Sequence, residues 1–537
     1  MNHREYADMA VIGCRIRTMD PRTPFAAAVA VRDGVVMAVG DDAAIRDCCD
    51  AKTEVIDGRG RSLVPGLRDS HQHGLSAIDV VRGADLRDVR SLEELRSALR
   101  EHLDSGGADE WVLGWGLTYE ALEGRPLASV VIDEAVQGRP SVLRMIDVHG
   151  AIASSRALEL AQVYGPVEFP DGAEVVCTDG VPTGELRDLS AIDHVMAAAP
   201  EPSTEEARAA AQGVLRRCTE QGLTCLHMMD GDAESLERAR VLEESGTLDV
   251  RLVVPLWVAP GASQEELQRL LGLRDASGHL WRCGVAKFFL DGVVENGSGW
   301  LLNGYADGRV SVPNWPDVRE YHEVVREFSA AGFQCVTHAI GDAAVRGALD
   351  AYRAAGAAPG VRHRVEHIEL VAEEDLPRFA SEGVIASMQP LHLQFSMEDP
   401  RHEWAQAVGP GLAGRGYRCG DLLRSGATLV LGSDWPVATE DPRVGMAWAR
   451  LRRRPGLPGS SSGLDQCLTG LDALRGYTTA GAYAAGESDV AGLIRAGMRA
   501  DFSGFAEDPV DCDADDLVDL PVWLTVVDGR IVHRRED

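Results

Sequence analysis

Eight short apolar runs, most of them preceded by an amphipathic helical stretch, are the feature that most restricts the fold of this 537-residue chain. Such alternation is typical of β/α units that form a parallel sheet. In chain order the strand-like runs are GLRDSHQH, GLTCLHMM, VRLVVPLWV, VAKFFLD, QCVTHAI, RVEHIEL, VIASMQP and TLVLGSD. Eight strands with intervening helices predict an α/β fold, a (β/α)8 barrel of TIM type over residues 65–484.

The connection between the first and second of these strands, at about residues 75–220, is far too long for one β/α loop. It contains β-like pieces of its own, WVLGWG and SVLRMIDVHGAIAS. We therefore predict an inserted subdomain, and we expect it to cover one side of the barrel mouth.

Both ends of the chain are rich in short β-like runs. AVAVRDGVVMAVG places two apolar segments around Asp33-Gly34, and VWLTVVDGRIVHR repeats the pattern around Asp528-Gly529. Asp-Gly between apolar runs indicates a two-residue hairpin. The two ends, residues 1–64 and 485–537, are predicted to form one small β-sandwich together.

The net charge of −31 restricts the partners. Nucleic acids and anionic membranes bind basic patches, so neither is expected to bind this chain. No apolar run has the length of a membrane span, and MNHREYADMA lacks a secretory pattern. We expect a cytoplasmic protein with a small-molecule substrate, and a homodimer as its assembly.

Histidines, a lysine and an aspartate fall on or near the ends of the predicted strands. These residues are His71, His73, Lys287, His338, His367 and Asp434. Residues two apart on a strand share a face, so His71 and His73 project side by side. Active sites of such barrels form at the C-terminal ends of the strands. Imidazoles and a carboxylate that converge there predict a divalent-metal site. The alternative for His71 and His73 is that they are two unrelated histidines at a strand end.

Lys287 stands out because lysine is nearly absent. Of the 53 basic residues only Lys52 and Lys287 are lysine. Lys287 lies in the apolar run GVAKFFLDG, where a charged amine is costly to bury. Unlike arginine, a buried lysine can lose its proton and react. The alternative is a lysine in an internal ion pair.

Seven motifs in order resemble those of the amidohydrolase superfamily, in the large-insertion branch that includes N-substituted formamide deformylase. They are PGLRDSHQH, AKFFLDG, THAIGD, RVEHIEL, SMQP, LGSDWP and the tail GLIRAGMRADF. The resemblance implies a metal-dependent barrel with a β-sandwich from both termini. It implies direct metal ligation by the six residues named above, with Lys287 as an N-carboxylated bridge between two metals. Arg68 and Gln72 depart from the usual form of the first motif, and both are expected to face away from the metal.

The resemblance also implies a reaction, the hydrolysis of carbon–nitrogen bonds other than peptide bonds. One or two ions, expected to be Zn²⁺, would activate water to hydroxide. Asp434 would carry its proton to the leaving nitrogen, and Asp434 and His338 are the expected catalytic residues. An amide, a cyclic amide or an N-substituted formamide is the expected substrate. The alternatives are an ester, lactone or amidine hydrolase, and a metal-binding barrel without catalysis.

Five further residues are candidates for contact with the substrate. Two lie in the insertion and three near the ends of the fourth and seventh strands: Trp115, His149, Asp291, Gln389 and His392. For Trp115 and His149 the alternatives are a tryptophan of the core and a capping histidine.

Overall fold

A computed structural model describes residues 6–74, 81–104, 111–146, 150–169, 173–187, 189–201, 203–295, 297–396, 402–457 and 463–535. Two compact units divide the chain. The main unit comprises Met1–His73, Gln212–Asp434 and Thr439–Asp537, and the insertion unit comprises Gly74–Ala211 and Trp435–Ala438. The insertion unit consists mainly of the segment between the first two predicted strands.

The N-terminal part of the main unit is built from short strands and a helix. Its elements are β1 (Met9–Ile12), β2 (Arg15–Arg17), β3 (Phe25–Ala26), β4 (Ala28–Arg32), β5 (Val35–Gly40), α1 (Asp42–Arg46), β6 (Glu54–Asp57), β7 (Ser62–Pro65) and β8 (Leu67–Gln72). Strands β4 and β5 form a hairpin around Asp33 and Gly34, whose φ angles are 50° and 73°. Asp-Gly occurs there because a tight hairpin turn needs left-handed backbone at both positions.

The insertion unit has its own mixed sheet. Its elements are β9 (Ala84–Asp85), α2 (Leu92–Asp104), β10 (Val112–Leu117), α3 (Ser129–Ile132), β11 (Ser141–Met145), β12 (Gly150–Ala153), α4 (Ser155–Leu160), β13 (Glu174–Thr178), β14 (Val181–Arg187) and α5 (Leu189–Met196). The strand order is β13-β14-β12-β11-β10-β9. Leu99, Leu117 and Ile132 lie in one of its apolar clusters. Helix α6 (Thr204–Glu220) contains the boundary with the main unit.

Strands and helices alternate in the central part of the main unit. The elements are β15 (Leu223–Met228), α7 (Ala233–Glu244), β16 (Arg251–Val253), β17 (Leu256–Trp257), α8 (Gln264–Leu271), β18 (Trp281–Arg282), β19 (Val285–Phe289), α9 (Val318–Ala330), β20 (Gln334–Ala339), α10 (Asp342–Ala355), β21 (Arg364–His367), α11 (Leu376–Ser381), β22 (Ile385–Met388), α12 (Leu393–Ser396), α13 (Glu403–Val408), α14 (Pro410–Ala413), α15 (Cys419–Arg424), β23 (Leu429–Leu431), α16 (Pro442–Leu451), α17 (Gly470–Tyr477) and α18 (Thr479–Ala484). Within the described ranges, none of the helices combines the length and apolar character of a membrane span.

Both chain termini contribute to one six-stranded sheet. The last strands are β24 (Phe502–Phe505), β25 (Val522–Val527) and β26 (Arg530–Arg534), and the sheet order is β26-β25-β24-β7-β2-β3. A second sheet, in the order β5-β4-β1-β6, comes from the N-terminal part alone. Val11, Ile16, Phe502 and Trp523 share one apolar cluster, so the two ends are buried together.

The predicted α/β fold is confirmed, and each of the eight predicted runs contains an observed strand. The parallel strands form two groups, β18-β16-β15-β8 and β17-β19-β20-β21-β22-β23. The predicted third strand is divided into β16 and β17, with Pro255 between them. Proline has no backbone N–H to donate, so a continuous ladder cannot pass through it. A barrel closed by continuous ladders is therefore not seen among the described strands.

The two outer strands β8 and β23 approach each other without a ladder. The N–H of Asp434 donates to the carbonyl oxygen of His71 over 2.7 Å. Gly432 permits this approach, because a Cβ at that position would lie 2.6 Å from the nitrogen of His71. The first and last predicted strands of the main unit thus meet at their C-terminal ends.

Candidate metal centre

Asp434, just beyond the end of β23, stands between two pairs of histidines. Its Oδ1 atom lies 3.2 Å from Nε2 of His71 and 2.9 Å from Nε2 of His73. Its Oδ2 atom lies 3.8 Å from Nδ1 of His367 and 3.9 Å from Nε2 of His392. Each carboxylate oxygen therefore faces a different pair of imidazoles, and the four imidazoles come from three places in the chain.

The backbone is strained at two of these residues. His367 has a φ of 72° and Asp434 a φ of 58°, both in the left-handed region. For a residue other than glycine this costs about 1–3 kcal/mol, and such residues cluster at functional sites. The strain turns both side chains toward the same point.

His338 and Lys287 lie beside this group. The ring of His338 is 4.3 Å from the ring of His367 and stacks on Phe289 at 4.2 Å. The Nζ atom of Lys287 is buried and has no hydrogen-bond partner among the described residues. Burial lowers the pKa of Lys287 to about 8, although the negative charges of Glu366 and Asp434 act in the opposite direction.

The protonation states of three histidines and of Asp434 suit metal ligation. Burial lowers the pKa of His338 to about 3 and also lowers the pKa of His367 and His392. These imidazoles are neutral at neutral pH, which is the form that binds a metal. Burial acts to raise the pKa of Asp434, but the histidines around it outweigh burial and hold that pKa well below its usual range, so the carboxylate is ionised.

Two carboxylates that the sequence analysis did not select hold the first pair of histidines. Oε2 of Glu366 accepts a hydrogen bond from Nδ1 of His71 over 2.7 Å. Oδ2 of Asp230 lies 2.9 Å from Nδ1 of His73. Burial acts to lower the pKa of His73, but Asp230 and Asp434 outweigh it and raise this pKa to about 10. In the absence of a metal His73 is therefore protonated at neutral pH, and a cation bound in the same negative potential would displace this proton.

Alternation along a strand explains why Glu366 was missed. In a regular strand, Glu366 and His367 would point to opposite faces, so the choice of His367 as a ligand left Glu366 outside the site. The left-handed backbone at His367 breaks this alternation. A usable signal existed for Asp230, because this carboxylate follows directly after the predicted strand GLTCLHMM.

The donor set fits a divalent metal. Among the described residues, two groups have ligand atoms that all lie within 4.8 Å of one another. The first is His71, His73 and Asp434, and the second is His367, His392 and Asp434. Because Nδ1 of His71 donates to a carboxylate, its Nε2 in the neutral form presents a lone pair to Asp434. Two such acceptors repel each other unless a cation lies between them. His392, predicted to contact substrate, thus lies among the possible ligands, whereas His338 belongs to neither group.

The other predicted substrate residues of the main unit differ in their surroundings. Both oxygens of Asp291 accept backbone N–H groups, from Trp300, Ile340 and Gly341 at 2.8–2.9 Å. Its carboxylate therefore anchors the loops around the site. The amide of Gln389 is buried with no hydrogen-bond partner among the described residues, so it is available to a bound molecule.

Arg68, which departs from the usual form of the first motif, pairs with Glu487 over 2.5 Å.

Two predicted substrate residues belong to the insertion. Trp115 is buried in the insertion unit, with its ring 6.1 Å from that of Trp435 and the guanidinium of Arg87 4.5 Å from its centroid. His149 lies outside the described residues.

Comparison with known proteins identifies the family. A model of the amidohydrolase family matches residues 54–533. The chain belongs to the amidohydrolase family. The resemblance drawn from the seven motifs is therefore confirmed, and the protein is a hydrolase by family.

This amidohydrolase has full-length relatives. It is 28% identical to the protein LONG AFTER FAR-RED 3 of Arabidopsis thaliana, over 98% of this chain and 92% of the relative. It is 26% identical to the N-substituted formamide deformylase of Arthrobacter pascens, over 98% of both chains. A solved structure of an uncharacterized metal-dependent hydrolase from Pyrococcus horikoshii shares the fold, with a TM-score of 0.75, 22% identity and coverage of 94% of this amidohydrolase and 99% of that chain.

Proposed function

We propose that this amidohydrolase uses a divalent metal to hydrolyse a carbon–nitrogen bond other than a peptide bond in a small molecule. The observation that carries the proposal is the position of Asp434 between two pairs of histidines. Neutral imidazoles with one carboxylate are ligands typical of Zn²⁺ and similar ions. We take Zn²⁺ as the expected ion.

The metal would be held by His71, His73 and Asp434 on one side and by His367, with His338 or His392, on the other. A divalent ion bound there would supply Lewis acidity and lower the pKa of a water molecule. Glu366 and Asp230 would orient His71 and His73, because a hydrogen bond at one ring nitrogen fixes where the other nitrogen points.

Asp434 would carry the proton in the reaction. As an ionised carboxylate it can accept a proton from the attacking water and return it to the leaving nitrogen. Without that return, the leaving group would depart as an amide anion, which is a poor leaving group. Gln389 and His338 are the proposed contacts of the substrate carbonyl oxygen, because one has an unpartnered buried amide and the other lies beside His367.

Lys287 is proposed to carry a carboxyl group that bridges two metals. A neutral amine adds CO₂ and releases one proton, and burial favours the neutral amine. The buried Nζ, which has no hydrogen-bond partner among the described residues, supports this assignment. Two divalent cations would then offset the cost of burying the anionic carbamate.

We also propose that the two groups of parallel strands close into one eight-stranded barrel, in which β16 with β17 and β18 with β19 each count as one strand. The terminal sheets would form a β-sandwich beside it. The bond from the N–H of Asp434 to the carbonyl of His71 supports closure between β23 and β8. The homodimer, the cytoplasmic location and the absence of nucleic-acid or membrane partners stay predictions.

The substrate is proposed to be an amide, a cyclic amide or an N-substituted formamide. The last is supported by the full-length similarity to N-substituted formamide deformylase. Purified protein of measured metal content should be assayed on N-substituted formamides, cyclic amides, amidines, esters and lactones. Turnover of a carbon–nitrogen substrate that is lost in Asp434→Asn supports the proposal. Turnover of esters or lactones alone, or activity in protein without metal, would contradict it.

A further inference from the structure

A cavity of about 350 Å³ lies at the opposite end of the parallel strands from the metal centre. Gly284, Gln334 and Arg362 line it, and they lie at or just before the starts of β19, β20 and β21. The metal centre is built at the C-terminal ends of the strands, so the cavity shares none of its residues. Its volume is at the lower end of the ~300–1,000 Å³ of small-molecule pockets.

The cavity is basic in a strongly acidic protein. Arg274, Arg282 and Arg362 line it, and Asp275 is the carboxylate among its lining residues. The chain as a whole carries a net charge of −31. A concentration of guanidinium groups around one cavity is therefore contrary to the average charge of the surface.

Two of these arginines keep donors that no described residue accepts from. The guanidinium of Arg362 stacks on the ring of Tyr483 at 3.9 Å and donates through Nη1 to the carbonyl of Gly360, with no carboxylate partner among the described residues. The Nε atom of Arg274 is buried, and none of the described residues accepts a hydrogen bond from it. Its contact with Asp275 involves a carboxylate that is 85% exposed, where solvent screens the attraction.

The walls of the cavity are held by hydrogen bonds. The amide of Gln334 donates to the carbonyl of Arg362 over 2.5 Å and to that of Ala484 over 2.8 Å. Arg282 donates to the carbonyls of Cys283 and Ala485 and pairs with Glu487 at 3.3 Å. These contacts connect four segments of the chain, at residues 282–283, 334, 362 and 484–487, so the geometry around the cavity is formed before any molecule binds.

We propose that this cavity binds a small oxyanion, as a phosphate or a carboxylate group of a compact molecule. The fork of N–H groups on arginine matches the oxygen pairs of phosphate and carboxylate. Arg362 and Arg274 supply the donors, and Arg282 adds positive charge. The proposal does not depend on the reaction at the metal centre.

The test is calorimetric titration of the full chain with inorganic phosphate and, separately, with succinate, in a chloride buffer of constant ionic strength. We expect saturable binding of one ion per chain with a dissociation constant below about 1 mM for at least one of the two. Arg362→Ala and Arg274→Ala should each weaken binding by about tenfold or more, because each removes a charge-assisted hydrogen bond. Arg362→Lys keeps the charge, loses the fork and should bind with intermediate affinity.

Arg353→Ala is the matched control. Arg353 lines a different surface depression and already pairs with Asp350 at 2.9 Å, so its removal should leave binding unchanged. Absence of saturable binding of both ions to the wild-type chain would overturn the proposal. So would binding that Arg362→Ala and Arg274→Ala leave intact, since the anion would then bind elsewhere, for example at the metal.

Discussion

Glu366→Gln removes one negative charge from the buried interior while it keeps the shape of the side chain. Oε2 of Glu366 accepts from Nδ1 of His71 over 2.7 Å and from Nη2 of Arg364 over 3.1 Å, and Oε1 lies 2.9 Å from the same Nη2. All three side chains are fully buried. Burial acts to raise the pKa of Glu366, but Arg364 and His71 outweigh it and hold this pKa well below its usual range, so the wild-type side chain is ionised.

Neither orientation of the new amide satisfies both neighbours. With its oxygen toward Arg364, the NH₂ group faces the N–H of His71, which then has to move its hydrogen to Nε2. That change removes the lone pair that faces Asp434. With its oxygen at the Oε2 position it still accepts from His71 and from Nη2 of Arg364, but the NH₂ group then lies about where Oε1 was, 2.9 Å from the same Nη2, and donor meets donor.

The cost follows from these contacts. Removal of one partner of a buried ion pair costs about 3–5 kcal/mol. Arg364 keeps contacts with His227, with the carbonyl of Ser70 and with Ser387 at 2.7–3.1 Å, so we expect about 3 kcal/mol. Loss of the residue that orients a metal ligand should weaken metal binding by about 10–100-fold.

Two measurements check this prediction. Urea unfolding of metal-free protein gives the change in the free energy of unfolding, and competition with a chelator gives the metal affinity. Glu374→Gln is the control, because Glu374 is 79% exposed and its contact with Arg346 is 3.5 Å long. If Glu366→Gln unfolds at the wild-type urea concentration and binds metal as tightly as the wild type, Glu366 does not position His71.

Three further predictions concern other parts of the main unit. Lys287→Arg keeps the charge but cannot form a carbamate, so metal analysis should show at most one ion per chain and activity should collapse; two ions in this variant would contradict a lysine bridge. Glu487→Gln should destabilise the protein at neutral pH by about 3 kcal/mol, because Glu487 pairs with the buried Arg68. The pKa of Glu487 is lowered, because Arg68 and two further arginines outweigh burial. The stabilisation by Glu487 is therefore complete above about pH 4.5 and is lost as the pH falls below that value. Urea unfolding should show a smaller stability difference between variant and wild type at pH 4 than at pH 7, and a constant difference would refute the ion pair as its cause. Gly432→Ala places a Cβ 2.6 Å from the nitrogen of His71, and it should lower both the melting temperature and the metal content; wild-type values for both would show that β8 and β23 can separate without cost.

The positions of the strands could be read from local patterns. Apolar runs such as VAKFFLD and QCVTHAI contain β19 and β20, because a strand buried on both faces needs a continuous apolar stretch. The Asp-Gly turns likewise follow from the backbone angles that a tight hairpin requires. His71 and His73 could be selected for the same reason, since their two-residue spacing is a local property.

The sequence alone therefore determined the alternation of strands and helices, the family motifs and the histidines that lie at strand ends. Only the tertiary structure decided which atoms meet. Glu366 reaches His71 across 295 positions of the chain, and the left-handed backbone at His367 and Asp434 reverses the faces that regular alternation assigns. The basic cavity that Arg362 lines likewise depends on residues supplied by distant segments. Local pattern governs backbone conformation because it acts over a few residues, whereas ligand geometry depends on contacts that form only when the whole unit is packed.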